Sequence, residues 1–286
     1  MPPGATPSGR VVYSGEPGAF AEDAVVAAFG DVERQGLPGF RQAFDAVAAG
    51  EAIAGVIPIE NSVHGTVREN YDLLLEHELE IRAEVVVPVR LCLAARPGQR
   101  LDEVERVYSH VQALGQAEAF LRRRPWALLT TYNTAGAGKL VAESREPHSA
   151  AVLSPRAAAL FGLDVLAQDI QDVADNRTRF LVVARPGVEQ PLAGGSTGVA
   201  MRTTLVVAVR NEPGSLLRVL RVFSDHGLNM STLESRPSRE RAWEYVFWID
   251  LDADLAMPSM QAALGDLGPV TTMLRVLGSY PHAPDR

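Results

Sequence analysis

Five short segments of this chain carry residues that can do chemistry. Asn176-Arg177-Thr178-Arg179-Phe180 sets a hydroxyl between two guanidinium groups. Arg179 has the planar fork that binds a carboxylate through two parallel hydrogen bonds. Thr178 can donate a hydrogen bond to a departing group but is a poor proton source. The same segment reads equally well as the charged start of a strand. The other four are Ser14-Gly15-Glu16-Pro17-Gly18, Glu60-Asn61-Ser62, Ser109-His110-Val111-Gln112 and Asn133-Thr134-Ala135-Gly136. Each follows an apolar run and opens a helix-like one. Helix N-termini offer unpaired N–H groups and a positive dipole end. Several of them facing one cleft would hold an anion with few Lys or Arg. Each loop taken singly is an ordinary strand–helix connection.

The elements that must position these loops alternate in type. Short β-branched runs at Val11–Ser14 and Ala54–Ile59 alternate with helical spacing at Phe20–Phe29 and Phe40–Ala49. The order continues with strands at Val104–Tyr108, Ala127–Tyr132 and Ala150–Leu153, and helices at Gln112–Arg123 and Thr134–Glu143. Strand, polar loop and helix in repetition predict a mostly parallel sheet flanked by helices. A strand is expected at Phe180–Ala184, directly after the Thr178 segment. The stretch Arg185–Gly198, rich in Gly and Pro, reads as a linker. Beyond it the order becomes βαββαβ, the ferredoxin-like arrangement. Its first helix, Ser215–His226, is expected to bury Leu216, Leu217, Leu220 and Phe223, with Gly227 as a left-handed cap.

Composition narrows the class of function. The 286 residues leave room for about two domains, and 47% are hydrophobic. With 27 Lys plus Arg against 35 Asp plus Glu, the net charge is −8, which argues against nucleic acid and anionic membrane as partners. The single cysteine, Cys92, excludes an internal disulfide framework and a Cys-rich metal site. The N-terminal MPPGATPSGR lacks an apolar core and reads as a loose tail, so a cytoplasmic protein is expected.

Several motifs resemble the prephenate dehydratase family. They are Gly15-Glu16-Pro17-Gly18-Ala19-Phe20, Pro58 through Val67, Ser109 through Gln116, and Asn176 through Phe180, in the family's order. Leu228-Asn229-Met230-Ser231-Thr232-Leu233-Glu234-Ser235-Arg236-Pro237 resembles that family's regulatory ACT-domain signature. The resemblance implies an α/β chain: a two-lobed catalytic domain of the type II periplasmic-binding-protein kind, then a ferredoxin-like βαββαβ ACT domain. The corresponding boundaries are 10–186 for the catalytic domain, 187–200 for the linker and 201–281 for the ACT domain. Lobe 1 spans about 10–87 and 166–186, and lobe 2 about 88–165. The activity implied is conversion of prephenate to phenylpyruvate with loss of water and CO2. No metal or organic cofactor is implied, phenylalanine is the effector, and a homodimer or homotetramer is usual. Arogenate dehydratase and a non-catalytic amino-acid sensor are the alternative readings.

Family positions map onto this chain residue by residue. Thr178 is expected to orient the leaving hydroxyl and Arg179 to anchor the side-chain carboxylate. Glu60, Asn61, Ser109 and Gln116 are expected catalytic positions, with Ser62, Thr134 and Phe180 lining the substrate. Glu60 is a proton source only if buried. Asn211, Gly214, Ser215, Leu216, Glu234, Ser235 and Arg236 form the expected phenylalanine site. The chain departs from the family pattern at Ala21, where a hydroxyl is usual, at Val111, where Pro is usual, and at Ser215, where Ala is usual. His64 reads as a rim residue, His148 as a surface loop and Cys92 as core.

Overall fold

The computed structural model describes residues 9–144, 146–188, 192–193, 200–237 and 245–282. The first lobe opens with β1 (Val11–Ser14), α1 (Phe20–Phe29), β2 (Arg34–Leu37) and α2 (Phe40–Ala48). It continues through β3 (Ala54–Asn61), β4 (Gly65–Thr66), α3 (Arg68–Glu76) and β5 (Glu80–Pro88). The second lobe holds β6 (Cys92–Ala95), β7 (Arg106–Ser109), α4 (Val111–Gln116), α5 (Glu118–Leu121) and β8 (Ala127–Thr130). Then come α6 (Thr134–Glu143), β9 (Ser149–Leu153), α7 (Pro155–Leu160) and β10 (Asp164–Ala167). The chain returns to the first lobe as β11 (Arg177–Ala184). The C-terminal unit is β12 (Met201–Ala208), α8 (Ser215–Asp225), β13 (Met230–Pro237), β14 (Tyr245–Leu251), α9 (Pro258–Leu267) and β15 (Met273–Pro281).

The lobes have separate sheets, ordered β2-β1-β3-β11-β5, with β4 against β3, and β10-β6-β9-β7-β8. Both are mixed, which corrects the mostly parallel expectation. The returning strand β11 runs antiparallel to β3 and β5, and β6 runs antiparallel to β9 and β10. A chain that crosses between lobes and back enters each sheet from the opposite end, so pattern within βαβ units does not reveal the reversal. The expected lobe boundary at 166 also shifts, because β10 closes the edge of the second sheet beside β6. The helix expected over Gln112–Arg123 is broken into α4 and α5 at Ala117. The strand expected from Phe180 begins three residues earlier, so the Thr178 segment lies inside β11.

The C-terminal sheet has the order β13-β14-β12-β15, the ferredoxin-like topology. Its helical face buries Val219, Phe223, Ile249 and Met260. Leu217 departs from the expected buried set: it is 59% exposed, and Val219 takes the inward position. Gly227 has φ 65°, as the left-handed cap requires. The proposed linker lies largely outside the described residues.

The other face of this sheet is buried against the first lobe. Val206, Val246, Trp248, Leu277 and Tyr280 share one core with Ile57, Ile59, Tyr71, Ile81, Leu181 and Val183. Trp248 meets Tyr71 edge to face, with centroids 4.9 Å apart. Strand β15 passes so close to β5 that a Cβ on Gly278 would collide with the Ile81 carbonyl oxygen. Each large side chain buried here contributes roughly 1.5–3 kcal/mol. The regulatory-type domain is therefore a wall of the first lobe's core and not a pendant module.

Candidate active site

The two lobes enclose a cleft of about 420 Å³ at the carboxyl ends of β1 and β7. That is the size range of small-ligand pockets, and its position follows the rule for open α/β sheets. Thr178 and Phe180 reach it from β11, Phe20 and Ala21 from α1, and Thr134 and Ala135 from α6. A larger cavity of about 670 Å³ adjoins it, sharing Gly15, Pro38, Tyr132 and Asn133. Its Arg34 is already paired, with Nε 2.7 Å from Glu22. The hydroxyl suited to the chemistry is in the smaller cleft.

Thr178 is held by Asn61. The Asn61 Nδ2 group donates to Thr178 Oγ1 at 3.0 Å, to Asn176 Oδ1 at 2.8 Å and to the Arg177 carbonyl at 3.1 Å. Asn61 Oδ1 accepts the amides of Val63 and His64 at 3.0 and 2.9 Å. At this turn the Asn61 amide works in both directions, its nitrogen donating toward β11 while its oxygen accepts two backbone amides. Thr178 Oγ1 accepts from Asn61, so its own proton is free to point into the cleft. Ser62 Oγ accepts the Arg177 amide at 2.9 Å, locking the same loop to β11.

The helix ends supply the electrostatics. No Lys or Arg is among the described residues lining the cleft. Instead α1 and α6, each ten residues long, start there. Asn133 caps α6 by accepting the Gly136 amide, which leaves the Thr134 and Ala135 amides without an intrahelical acceptor. Ala19 gives α1 no side-chain cap. The positive ends of both dipoles meet in the cleft.

Several expected site residues are elsewhere. Arg179 points away from the cleft, because β11 alternates faces and Thr178 and Phe180 take the inner one. Its guanidinium is held at 2.8 Å by Asp250 and at 3.2 Å by Glu84, with Glu60 at 3.5 Å. Burial works against the Arg179 charge, but Asp250 and Glu84 outweigh it and hold its pKa above the ordinary guanidinium value. Glu60 is 45% exposed, so it lacks the burial that a proton-donor role requires. Ser109 is fully buried, and its hydroxyl donates to the Val152 carbonyl at 2.6 Å. Gln116 is outside the cleft, as is Ser62. Of the expected set, Thr178, Phe180 and Thr134 line the cleft, and Asn61 supports Thr178.

Sequence reasoning missed Tyr132 and assigned no role to His110, Gln112 or Asn133, all of which line the cleft. Their signal was their place between a strand and a helix. Ala21 does face the cleft, so the usual hydroxyl there is replaced by a methyl group. His64 and His148 are exposed, and Cys92 is buried in β6. Burial raises the Cys92 thiol to about 12, which keeps it protonated.

The expected effector residues divide between two places. Gly214, with φ 81°, precedes α8, and the Ser215 hydroxyl accepts from Arg218 at 2.9 Å. Asn211 and Leu216 flank this turn, Asn211 exposed and Leu216 half-buried. Glu234 and Arg236 face the first lobe instead. Glu234 accepts from Thr66 at 3.3 Å, and Arg236 pairs with Asp72 at 3.1 Å. Ser235 between them is exposed.

Comparison with known proteins agrees with this architecture. The family model described as Prephenate dehydratase matches residues 11–188, and the ACT domain model matches 203–269. The chain is 40% identical over 281 residues to "Arogenate dehydratase/prephenate dehydratase 2, chloroplastic" of Arabidopsis thaliana, covering 95% of this chain and 72% of that protein. A prephenate dehydratase from Arthrobacter aurescens, solved with L-Phe, is 34% identical with a TM-score of 0.87, covering 97% of this chain and 91% of that one. GqqA, described as a novel type of quorum quenching acylase, is 30% identical with a TM-score of 0.86, covering 96% and 98%. With one family model spanning more than half of its length and an ACT domain behind it, the chain belongs to the prephenate dehydratase family.

Proposed function

We propose that this protein converts prephenate to phenylpyruvate, CO2 and water, under control by phenylalanine. The observation that carries the reading is the Asn61–Thr178 hydrogen bond at the cleft wall. Hydroxide is a poor leaving group, and a hydrogen bond that strengthens as charge grows on it lowers the barrier. Thr178, with its acceptor side occupied by Asn61, donates to the ring hydroxyl. The C–O bond breaks with its electron pair on oxygen, which takes up one proton from solvent and leaves as water. The bond to the ring carboxylate breaks at the same time, its pair completes the aromatic ring, and CO2 departs. The side-chain carboxylate lies at the N-termini of α1 and α6, whose positive dipole ends take the anchoring role expected of Arg179. With no Lys or Arg among the described residues that line the cleft, the leaving carboxylate is not pinned as an anion.

Arogenate differs from prephenate by an ammonium in place of a keto group, and relatives carry both names. The test is to incubate purified protein with each substrate, following phenylpyruvate by absorbance and phenylalanine by chromatography, then to titrate phenylalanine. Turnover of prephenate that phenylalanine alters supports the reading. Turnover of arogenate alone overturns the substrate assignment, and turnover of neither overturns the enzyme. Acyl release from an amide is assayed alongside, because one relative is described as an acylase. A cytoplasmic homodimer or homotetramer completes the proposal. Light scattering of the full chain checks the assembly, and a monomer would sink that part.

A further inference from the structure

We infer that Asp250, on β14 of the ACT domain, is a positioning residue for Thr178, acting through the Arg179 guanidinium that it holds. The kinetic part of its test rests on the dehydratase reading above. Arg179 sits between the two β11 residues that line the cleft, with its side chain on the opposite face of the strand. The ladder between β11 and β3 shifts register immediately after it: Arg179 pairs with Glu60, but Phe180 pairs with Pro58. Such a bulge re-aims neighbouring side chains and weakens the local ladder. The backbone at Thr178 therefore depends on what holds Arg179 from outside.

The shortest of the Arg179 ion pairs comes from another domain. Asp250 is 4% exposed, and its Oδ2 lies 2.8 Å from Arg179 Nη1. Its Oδ1 accepts from Thr204 Oγ1 at 2.7 Å, and that hydroxyl meets Tyr280 Oη at 2.7 Å. Asp250 therefore cannot turn without losing a second buried bond. Glu84 bridges Arg179 to Arg202, with Arg202 Nη1 at 2.9 Å. Two guanidinium groups thus balance two deeply buried carboxylates. Neutralising Asp250 leaves an excess positive charge in the core, and Arg179 must then lean on Glu84 and on Glu60 in β3.

A second contact bears on the same pair. Glu234 accepts from Thr66, whose backbone pairs with Glu60, the neighbour of Asn61. The ACT sheet thus reaches β11 directly through Asp250 and β3 by way of β4, the two strands that hold the Asn61–Thr178 bond. A small displacement of that sheet changes the aim of the Thr178 hydroxyl without any new contact to substrate.

The test compares full-length Asp250→Asn, Asp250→Glu and Asp252→Asn with the wild type. Asp252 also pairs with Arg202 but does not touch Arg179. Asp250→Asn is expected to lower kcat by on the order of tenfold or more, with KM changed far less. Asp250→Glu should recover most of the loss, and Asp252→Asn should leave kcat near wild type. Hydrogen exchange is read in parallel. In Asp250→Asn, peptides covering 58–66 and 176–181 should exchange faster while those of β7 and β9 do not. Unchanged kcat in folded Asp250→Asn, or equal losses in Asp250→Asn and Asp252→Asn, would overturn the inference. Were the wild type to turn over no substrate, the dehydratase reading fails and exchange alone decides: a local rise sustains the coupling, and no rise sinks it. If Asp250→Asn does not fold, Arg179→Lys, which keeps the charge but loses the fork, must show the same local exchange pattern or the inference falls.

Discussion

The amide of Asn61 donates to the hydroxyl of Thr178 across 3.0 Å, and this direction cannot reverse, because the other face of the Asn61 amide already accepts two backbone N–H groups. The orientation of a one-proton group is thereby set by a residue 117 positions away in the chain.

Replacing Thr178 by Ala removes the donor and one of the three acceptors of the Asn61 amide, while the bonds to Asn176 and the Arg177 carbonyl remain. Turnover should fall by about 10²–10⁴-fold, in line with loss of a positioned donor. Thr178→Ser should retain much of it. Steady-state kinetics with prephenate and a thermal melt check the two halves; a near-normal kcat in folded Thr178→Ala refutes the assigned role.

Asn61→Asp is nearly isosteric but reverses the bond. A carboxylate can only accept, so the Thr178 proton would turn toward it and away from the cleft. Turnover should drop by more than about tenfold with KM little changed, a loss made only in the transition state. Retention of wild-type kcat would mean the Thr178 proton is not what the cleft uses.

Gly278 has no left-handed backbone, so its requirement is space alone. Gly278→Ala sets a methyl group against the Ile81 backbone and forces β15 from β5. A destabilisation of about 1–3 kcal/mol is expected, typical of overpacking. Urea titration measures it, and no change in midpoint would show that the strands part freely.

The lobes are clasped by Arg156, which lies 3.1 Å from Glu22 and 2.7 Å from Asp23. Burial pushes the Glu22 carboxyl up, but the Gly18 amide, Arg34 and Arg156 outweigh it and hold its pKa below the ordinary 4.5. A depressed folded pKa gives stability that is complete above that value and lost as pH falls through the folded one. Asp23 is shifted upward by burial, so its contribution has the opposite sign. Glu22→Gln should therefore make the loss of stability as pH falls below about 4.5 shallower, and Asp23→Asn should make the pH dependence steeper between its raised folded pKa and the ordinary 3.8. Melting temperatures between pH 3 and 7, read at constant ionic strength, distinguish these slopes.

Truncation after Gly195 has a different expected outcome from the sequence and from the structure. A separate regulatory module predicts an active, effector-insensitive remainder. The shared core predicts otherwise: five side chains of the ACT sheet leave Ile57, Ile81 and Leu181 bare, at roughly 1.5–3 kcal/mol each. That is comparable to a domain's whole stability of about 5–15 kcal/mol. The truncated chain should aggregate or melt far below the full protein. A cooperative melt near the full-length temperature would show the lobes to be self-sufficient.

The order of elements and the division into a lobed catalytic domain and a βαββαβ domain were legible in the sequence, and so were Thr178 and Asn61 as candidates, which the structure brings together at the cleft. Local periodicity specifies helices and strands, and motifs in a fixed order specify a family. Arg179 was not legible. Its type suits a carboxylate anchor, but its role depends on where β11 begins. Starting the strand at Arg177 places alternate residues on opposite faces, so Thr178 and Phe180 share the cleft side and Arg179 takes the other. Ser109, Gln116, Glu234 and Arg236 show the same limit, since residue type does not say which neighbour will claim the side chain. Sequence alone determined which groups are available for chemistry. Only tertiary structure decided which of them meet, because burial and ion pairing are settled between segments far apart in the chain.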